Sequence, residues 1–326
     1  MGAINTDDGV RRRSASGGTF HALASGVLAR GGIVVAAAMD GDFAVRHRAV
    51  GQPADLPPLC GSKYVQSHTG DAFRRVRAAL RSGREVLFVG TPCQVAALRC
   101  FLGREEPLLL AADFFCHGVP SPALWQRCLD EMLRRIGVGR SDVAAIAFRD
   151  KSRGWRRYHT AITTRSGRHI VIPRRDNAYQ RAFDENLSLR QTCHNCPARA
   201  GRSHSDITMA DFWDVARLRP DMDDDGGVSL ILANTRRGAD VLRSTGLRIF
   251  DADIAEATRH NPAYTETHTP PHPRRQEFFA SLATAPDASR LIRQMLHLPP
   301  LQALHRQLNL HIYLFKQRLF RLKPWK

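Results

Sequence analysis

The chain has 326 residues, 43% of them hydrophobic, and a formal net charge of +17; it can bury a sizeable core as one large or two small domains. It contains no apolar run long enough to span a membrane, and its start, MGAINTDDGVRRRSASGG, lacks the apolar segment of a secretory signal, so a cytoplasmic location is expected. The excess of 48 Lys and Arg over 31 Asp and Glu comes from scattered arginines with no zinc-finger, ribonucleoprotein or helix-turn-helix signature, so nucleic acid is not an expected partner.

Taken in chain order, residues 1–13 read as a disordered tail. Phe20–Arg30 has helical periodicity, Gly31-Gly32 ends it, and IVVAAAMD follows as a buried strand with FAVRHRAV beside it. A proline-bearing loop leads to CGSKYVQSHTG, then come a helix over 71–81, a strand from Glu85 to Val89 and a helix after Cys93. PLLLAADFF is a strand, CHGVPSP a loop, and Ala123–Ile136 a helix. Helices alternating with short apolar strands predict an α/β arrangement, a mixed sheet with helices on its faces. From Asp142 the strands VAAIAFRD, RYHTAITT and RHIVIP crowd together and predict an antiparallel extension of that sheet. A helix near Asn177–Asn186 precedes the loop SLRQTCHNCPARAGRSHSD, and ITMADFW and VSLILANT return to strand patterns. The unit therefore runs over 14–84 and 85–248 as its two parts. Residues 249–326 read as a linker or strap where regular packing stops, followed by a basic helical tail from Leu301 that could meet a membrane surface.

The seven cysteines, an odd number in a chain of this size, suit thiols kept reduced for metal or redox work. Cys193 and Cys196 form a C-x-x-C that fits half a zinc knuckle, half an iron–sulfur site or a redox dithiol, with structural zinc first on spacing alone. Cys93 follows Thr91 and Pro92 at the start of a helix, where the dipole favours a thiolate. Cys116 directly follows a strand. Both lie at carboxyl ends of predicted strands, where open α/β sheets keep their ligand crevices. Cys100 and Cys128 fall inside predicted helices and read as packing residues. Ser16-Gly17-Gly18-Thr19 precedes a helix and could bring backbone N–H groups to an anion. Ser62-Lys63-Tyr64 offers a hydroxyl, a cation and a ring for a phosphate and a planar group. Arg149, Asp150 and Lys151 read as solvated charges on a turn.

The blocks SASGGTFHALASGVLARGGIVVAAAMD, GSKYVQSHTGDAFRRVRAAL, VLFVGTPCQVAALRCFLG, DFFCHGVPSPALW, FRDKSRGW, LRQTCHNCPAR and SDITMADFWDV…DMDDDGGVSLILANT together resemble the coenzyme F-420 hydrogenase/dehydrogenase beta-subunit family, from about Ser14 to Gly238. The reductase of 7-hydroxymethyl chlorophyll is similar too. The resemblance implies a flavin- and iron–sulfur-dependent oxidoreductase, with hydride transfer at FAD, single electrons through a 4Fe-4S cluster and coenzyme F-420 as a possible substrate. It implies FAD contacts at Ser16, Gly17, Gly18, Thr19, Ser62, Lys63, Tyr64, Gly90, Thr91, Pro92 and Gln94. It implies cluster ligation by Cys93, Cys116, Cys193 and Cys196, with Cys60 in reserve, and moves the metal expectation from zinc to iron. His117, beside Cys116, is a candidate proton donor. No module with paired Cys-x-x-Cys-x-x-Cys runs precedes Ser14, so the expected partners are a separate ferredoxin-like electron-transfer protein and a small redox molecule. The competing reading is a non-catalytic zinc scaffold for an acidic partner or polymer.

Overall fold

The computed structural model describes residues 1–266 and 268–297, together with Leu308, Ile312 and Phe315. Its strands are β1 (Gly2–Asn5), β2 (Ile33–Met39), β3 (Val45–Val50), β4 (Val86–Val89), β5 (Leu109–Phe114), β6 (Val143–Asp150), β7 (His159–Thr164), β8 (His169–Ile172), β9 (Ile207–Asp211), β10 (Ser229–Ala233) and β11 (Leu247–Phe250). The helices are α1 (Asp8–Arg13), α2 (Thr19–Ala29), α3 (Ala72–Arg81), α4 (Pro92–Leu102), α5 (Pro122–Ile136), α6 (Ala178–Asp184), α7 (Val215–Leu218), α8 (Arg236–Arg243), α9 (Ile254–Thr258), α10 (Pro262–Thr265), α11 (Arg275–Leu282) and α12 (Ala288–Met295).

Eight strands form one mixed sheet in the order β11-β1-β10-β9-β5-β4-β2-β3. Its centre is parallel, β2 with β4, β4 with β5 and β5 with β9. Side-chain alternation explains the layers. Val35, Val86, Phe88, Leu109 and Ala111 face α3 and α4; Val34, Ala36, Leu87, Leu110 and Ala112 face α2 and α8. A parallel centre covered on both faces needs uninterrupted apolar strands, which is what IVVAAAM and VLFV supply.

Three expectations are corrected. Residues 1–13 are not a disordered tail. Gly2–Asn5 is an interior strand of the main sheet, paired with β10 and β11, and Asp7 caps α1 by accepting from Val10 N–H. A strand of only four residues among polar neighbours leaves no periodicity to detect. The strands after Asp142 do not extend the main sheet but form their own, β6-β7-β8. Packing does not stop at Asp251 either. Phe278 and Ile292, both fully buried, join the core that α5, α6, α11 and α12 build against the small sheet. The basic tail from Leu301 lies outside the described residues apart from Leu308, Ile312 and Phe315, which are exposed. Among the described residues no helix is long and apolar enough to cross a membrane.

Candidate functional site

The predicted site residues gather at the carboxyl edge of the parallel strands. β4 and β5 pair as far as Val89 and Ala112, so the chains leaving them toward Cys93 and Cys116 emerge side by side. Thr91 and Gln94 close a capping box on α4, and Pro92 occupies its first turn. The Gln94 side chain is fully engaged: Oε1 accepts from Thr91 N–H at 3.0 Å, and Nε2 donates to Ser67 Oγ at 2.9 Å. Thr91 Oγ1 lies 3.1 Å from Cys93 Sγ.

The C-x-x-C loop folds onto the same edge. Pro120 and Leu189 form an antiparallel bridge, and Arg190 N–H donates to Val119 O at 2.9 Å. Gly118, in the left-handed region at φ +139°, lies so close that a Cβ would stand 3.2 Å from Cys193 Cβ. Cys116 records the convergence electrostatically. Burial pushes its thiol far above the ordinary value, and Cys93, Cys193 and Cys196 push it further, while the Gly118 N–H opposes them. Cys193 is raised by burial and by Cys93 and Cys196, against the Val119 N–H. Cys116 thus lies within the fields of three thiols from two other segments. Cys93 is exposed and the other three are half-buried. Among the described residues, no group of three or more His, Cys, Asp or Glu side chains closes to the spacing of a single metal ion.

Cys60 stands apart, donating to Leu56 O at 3.6 Å, with burial raising its thiol. Cys128 packs in the core beneath α12, as predicted, whereas Cys100 is exposed on α4. The His117 ring packs against Phe183 at 5.0 Å between centroids; burial lowers its pKa and Asp184 opposes that shift.

Lys63 lies in the loop before Gln66, whose N–H reaches Pro120 O. Its Nζ donates to Leu59 O at 2.8 Å and Cys60 O at 2.9 Å, and burial brings its pKa down to about 7. Tyr64 is held at both ends: Tyr179 Oη donates to its carbonyl at 2.7 Å, and Arg149 Nη1 lies 3.4 Å from its hydroxyl.

The segment Ser16–Thr19 is built differently from the expectation of an open glycine cradle. Gly17 is clamped between strands; a Cβ there would stand 2.3 Å from Ala3 O and 2.6 Å from Ser229 N. Its N–H donates to Ser229 Oγ at 3.0 Å and its carbonyl accepts from Asn5 N–H at 2.7 Å. Gly18 takes φ +91° as the N-cap of α2 and supplies no side-chain cap. Thr19, 2% exposed, leaves Oγ1 buried with no hydrogen-bond partner.

Sequence reasoning missed the group that joins the two sheets. Arg149 is not a solvated charge: its side chain is 5% exposed and pairs with Asp211 at 2.6 Å. Its guanidinium lies 4.2 Å from the Tyr158 ring centroid and 5.4 Å from that of Trp213. Burial works against the charge, but Asp211, Tyr64 and Tyr158 outweigh it and hold the pKa above its ordinary value. Lys151 Nζ ties the same turn to Arg11 O, Ser16 O and Gly226 O at 2.6, 2.9 and 2.8 Å. A strand ending in Arg-Asp and followed by Lys gives no signal of this; the aromatic neighbours Tyr64 and Trp213 are distant in sequence, and Tyr158 lies beyond the turn. Two surface cavities, of about 250 and 200 Å³, lie away from the candidate residues, one beside Phe43 and Arg140 and the other beside Cys128 and Arg293.

Residues 83–248 match the family described as the C terminus of the coenzyme F420 hydrogenase/dehydrogenase beta subunit. The fold is similar to that of a chain solved in the xenon-derivatised F420-reducing [NiFe] hydrogenase complex from Methanosarcina barkeri. The identity is 14% and the TM-score 0.54, over 87% of this chain and 92% of that one. No match is found among curated proteins.

Proposed function

The chain belongs to the coenzyme F420 hydrogenase/dehydrogenase beta-subunit family, and from that premise we propose that it is an oxidoreductase. It would hold FAD and one 4Fe-4S cluster at the carboxyl edge of its main sheet, and exchange reducing equivalents between a deazaflavin of the coenzyme F-420 type and a separate electron-transfer protein. The observation that carries this reading is the packing of the Cys193–Cys196 loop on Gly118 and Val119, just after Cys116 and beside the strand end that leads to Cys93.

Four thiolates suit a 4Fe-4S cluster as they do a zinc ion, and membership of this family favours the cluster. Around one zinc, bonds of about 2.3 Å would bring the sulfurs within about 3.8 Å of one another. In a cubane each thiolate bonds a different iron, so the four sulfurs stand further apart than around one zinc. The N–H groups of Gly118 and Val119 lower the Cys116 and Cys193 thiols, as donors to a cluster's sulfurs would.

The polar groups around α2 fit an anionic cofactor. An uncapped helix N-terminus together with the buried, partnerless Thr19 Oγ1 supplies donors for a diphosphate. When bound, the flavin would supply the exchange between two-electron and one-electron chemistry, and the cluster would carry single electrons. The chain's own residues position and shield. Lys63, poised near neutrality with two of its three ammonium donors on Leu59 and Cys60 carbonyls, can hold or release a proton at Nζ. Arg149 donates to the Tyr64 hydroxyl and lies over the Trp213 ring, which stacks on Trp155 at 4.8 Å.

Anaerobic purification or reconstitution followed by flavin, iron and sulfide analysis tests the reading. The expected result is a brown-yellow protein with about one FAD and four iron atoms per chain, reducible by reduced deazaflavin. A colourless protein that takes up zinc and no flavin would overturn it.

A further inference from the structure

The segment C-terminal to the family match returns across the cysteine loop. Thr269 N–H donates to His194 O at 3.0 Å, and His194 Nδ1 lies 2.9 Å from Thr269 O. A carbonyl only accepts, so Nδ1 carries the proton. Arg199 hydrogen-bonds Thr269 Oγ1, and Asn186 Nδ2 donates to Pro270 O at 3.0 Å. Arg275, the first residue of α11, sets Nη2 at 2.8 Å and Nε at 3.2 Å from Leu189 O, and Nη1 at 2.7 Å from Gln191 Oε1. The strap is anchored beyond this point, because Phe278 on the same helix is fully buried in the core. Carbonyls on both sides of Cys193 therefore take their donors from residues 268–275.

We infer that residues 268–275 are a brace that holds the Cys193/Cys196 turn closed, with Arg275 as its positioning residue, and that opening of this strap limits what reaches the two thiols. A loop held by a few hydrogen bonds opens locally without global unfolding, at a rate set by those bonds. The forked guanidinium is suited to the role, since it reaches a backbone carbonyl and a side-chain amide at once. The brace does not depend on what the thiols hold; its consequence for metal retention rests on the cluster reading above.

The test is the alkylation rate of each cysteine in the full-length, metal-free protein, read by peptide mass. Exposed Cys100 and buried Cys128 serve as references. In Arg275→Ala, Cys193 and Cys196 are expected to react about tenfold faster, with Cys100 and Cys128 unchanged. The sign separates bracing from charge: removing a cation beside Cys193 leaves less thiolate and by itself slows alkylation. Arg275→Lys keeps the charge but not the fork, and is also expected to accelerate the reaction. Unchanged or slower rates at Cys193 and Cys196 would overturn the brace. So would a parallel rise at Cys128, since the opening would then be global. In reconstituted protein, the same variants are expected to lose iron to a chelator about tenfold faster. A wild-type protein holding no iron would remove the cluster reading and leave the alkylation result standing.

Discussion

Arg149, near the end of β6, and Asp211, the last residue of β9, form an ion pair between the small sheet and the main one, Nη1 to Oδ2 at 2.6 Å. The same carboxylate accepts from Trp155 Nε1 at 3.3 Å, and the same guanidinium reaches the Tyr64 hydroxyl. Charge, stacking and the position of Tyr64 thus depend on one contact.

Breaking that pair from one side leaves a largely buried charge without its hydrogen-bonded counter-charge. Arg149→Met is expected to lower stability to denaturant by about 3 kcal/mol, and the double variant with Asp211→Leu to cost less than the single one. A double-mutant cycle in urea measures both. If the two single losses simply add, the contact is not the joint between the sheets.

For the cysteines, the proposed cluster separates ligands from bystanders. Serine at Cys93, Cys116, Cys193 or Cys196 is expected to abolish or severely reduce iron binding after reconstitution. Cys100→Ser, exposed on the outside of α4, and Cys60→Ser, turned to Leu56 O, are expected to leave it unchanged. Iron and sulfide content with the visible spectrum checks the set. Full iron in Cys116→Ser would remove the central ligand and the site with it.

The parallel centre was legible because both faces are buried, so its strands read as continuous apolar runs and its helices as periodic ones. The convergence of the cysteines followed from a resemblance and from strand ends, and the structure brings those four together. β1 was illegible because a four-residue strand such as GAIN takes its strand partners from more than two hundred residues away, Ser229 and Leu230 on one side and Leu247 to Phe250 on the other. The same holds for Gly17. Its sequence reads as a phosphate loop, but its missing side chain is required by Ala3 O and Ser229 N. Arg149 failed for the opposite reason, since local sequence makes it a turn charge and only tertiary neighbours make it a buried one.

His47, on β3, is buried with its ring stacked on Phe88 at 5.3 Å, and Nε2 donates to Val89 O at 3.1 Å, which leaves Nδ1 buried and without a partner. Burial, with Lys63 adding to it and the Val89 carbonyl opposing, brings its pKa from 6.5 down to about 4. Between those values the unfolded chain binds a proton that the folded one does not, so stability falls as pH drops through that window, by on the order of 3 kcal/mol in full. His47→Phe is expected to remove this share of the acid sensitivity. Unfolding free energies at several pH values between about 4 and 7 measure it, and an unchanged slope in the variant would assign the sensitivity elsewhere.

Thr19 Oγ1 distinguishes a structural hydroxyl from one that waits for a ligand. It is buried at the first helical position of α2 with no partner, so in the cofactor-free protein it adds desolvation cost without a hydrogen bond in return. Thr19→Val, nearly the same shape, is therefore expected to leave apo-protein stability unchanged or to raise it by about 1 kcal/mol, while weakening FAD binding about tenfold. Thermal unfolding without cofactor and flavin titration by fluorescence give the two numbers separately. A hydroxyl with only a structural role would give the reverse pattern, lower stability with unchanged flavin affinity, and would place the diphosphate away from α2.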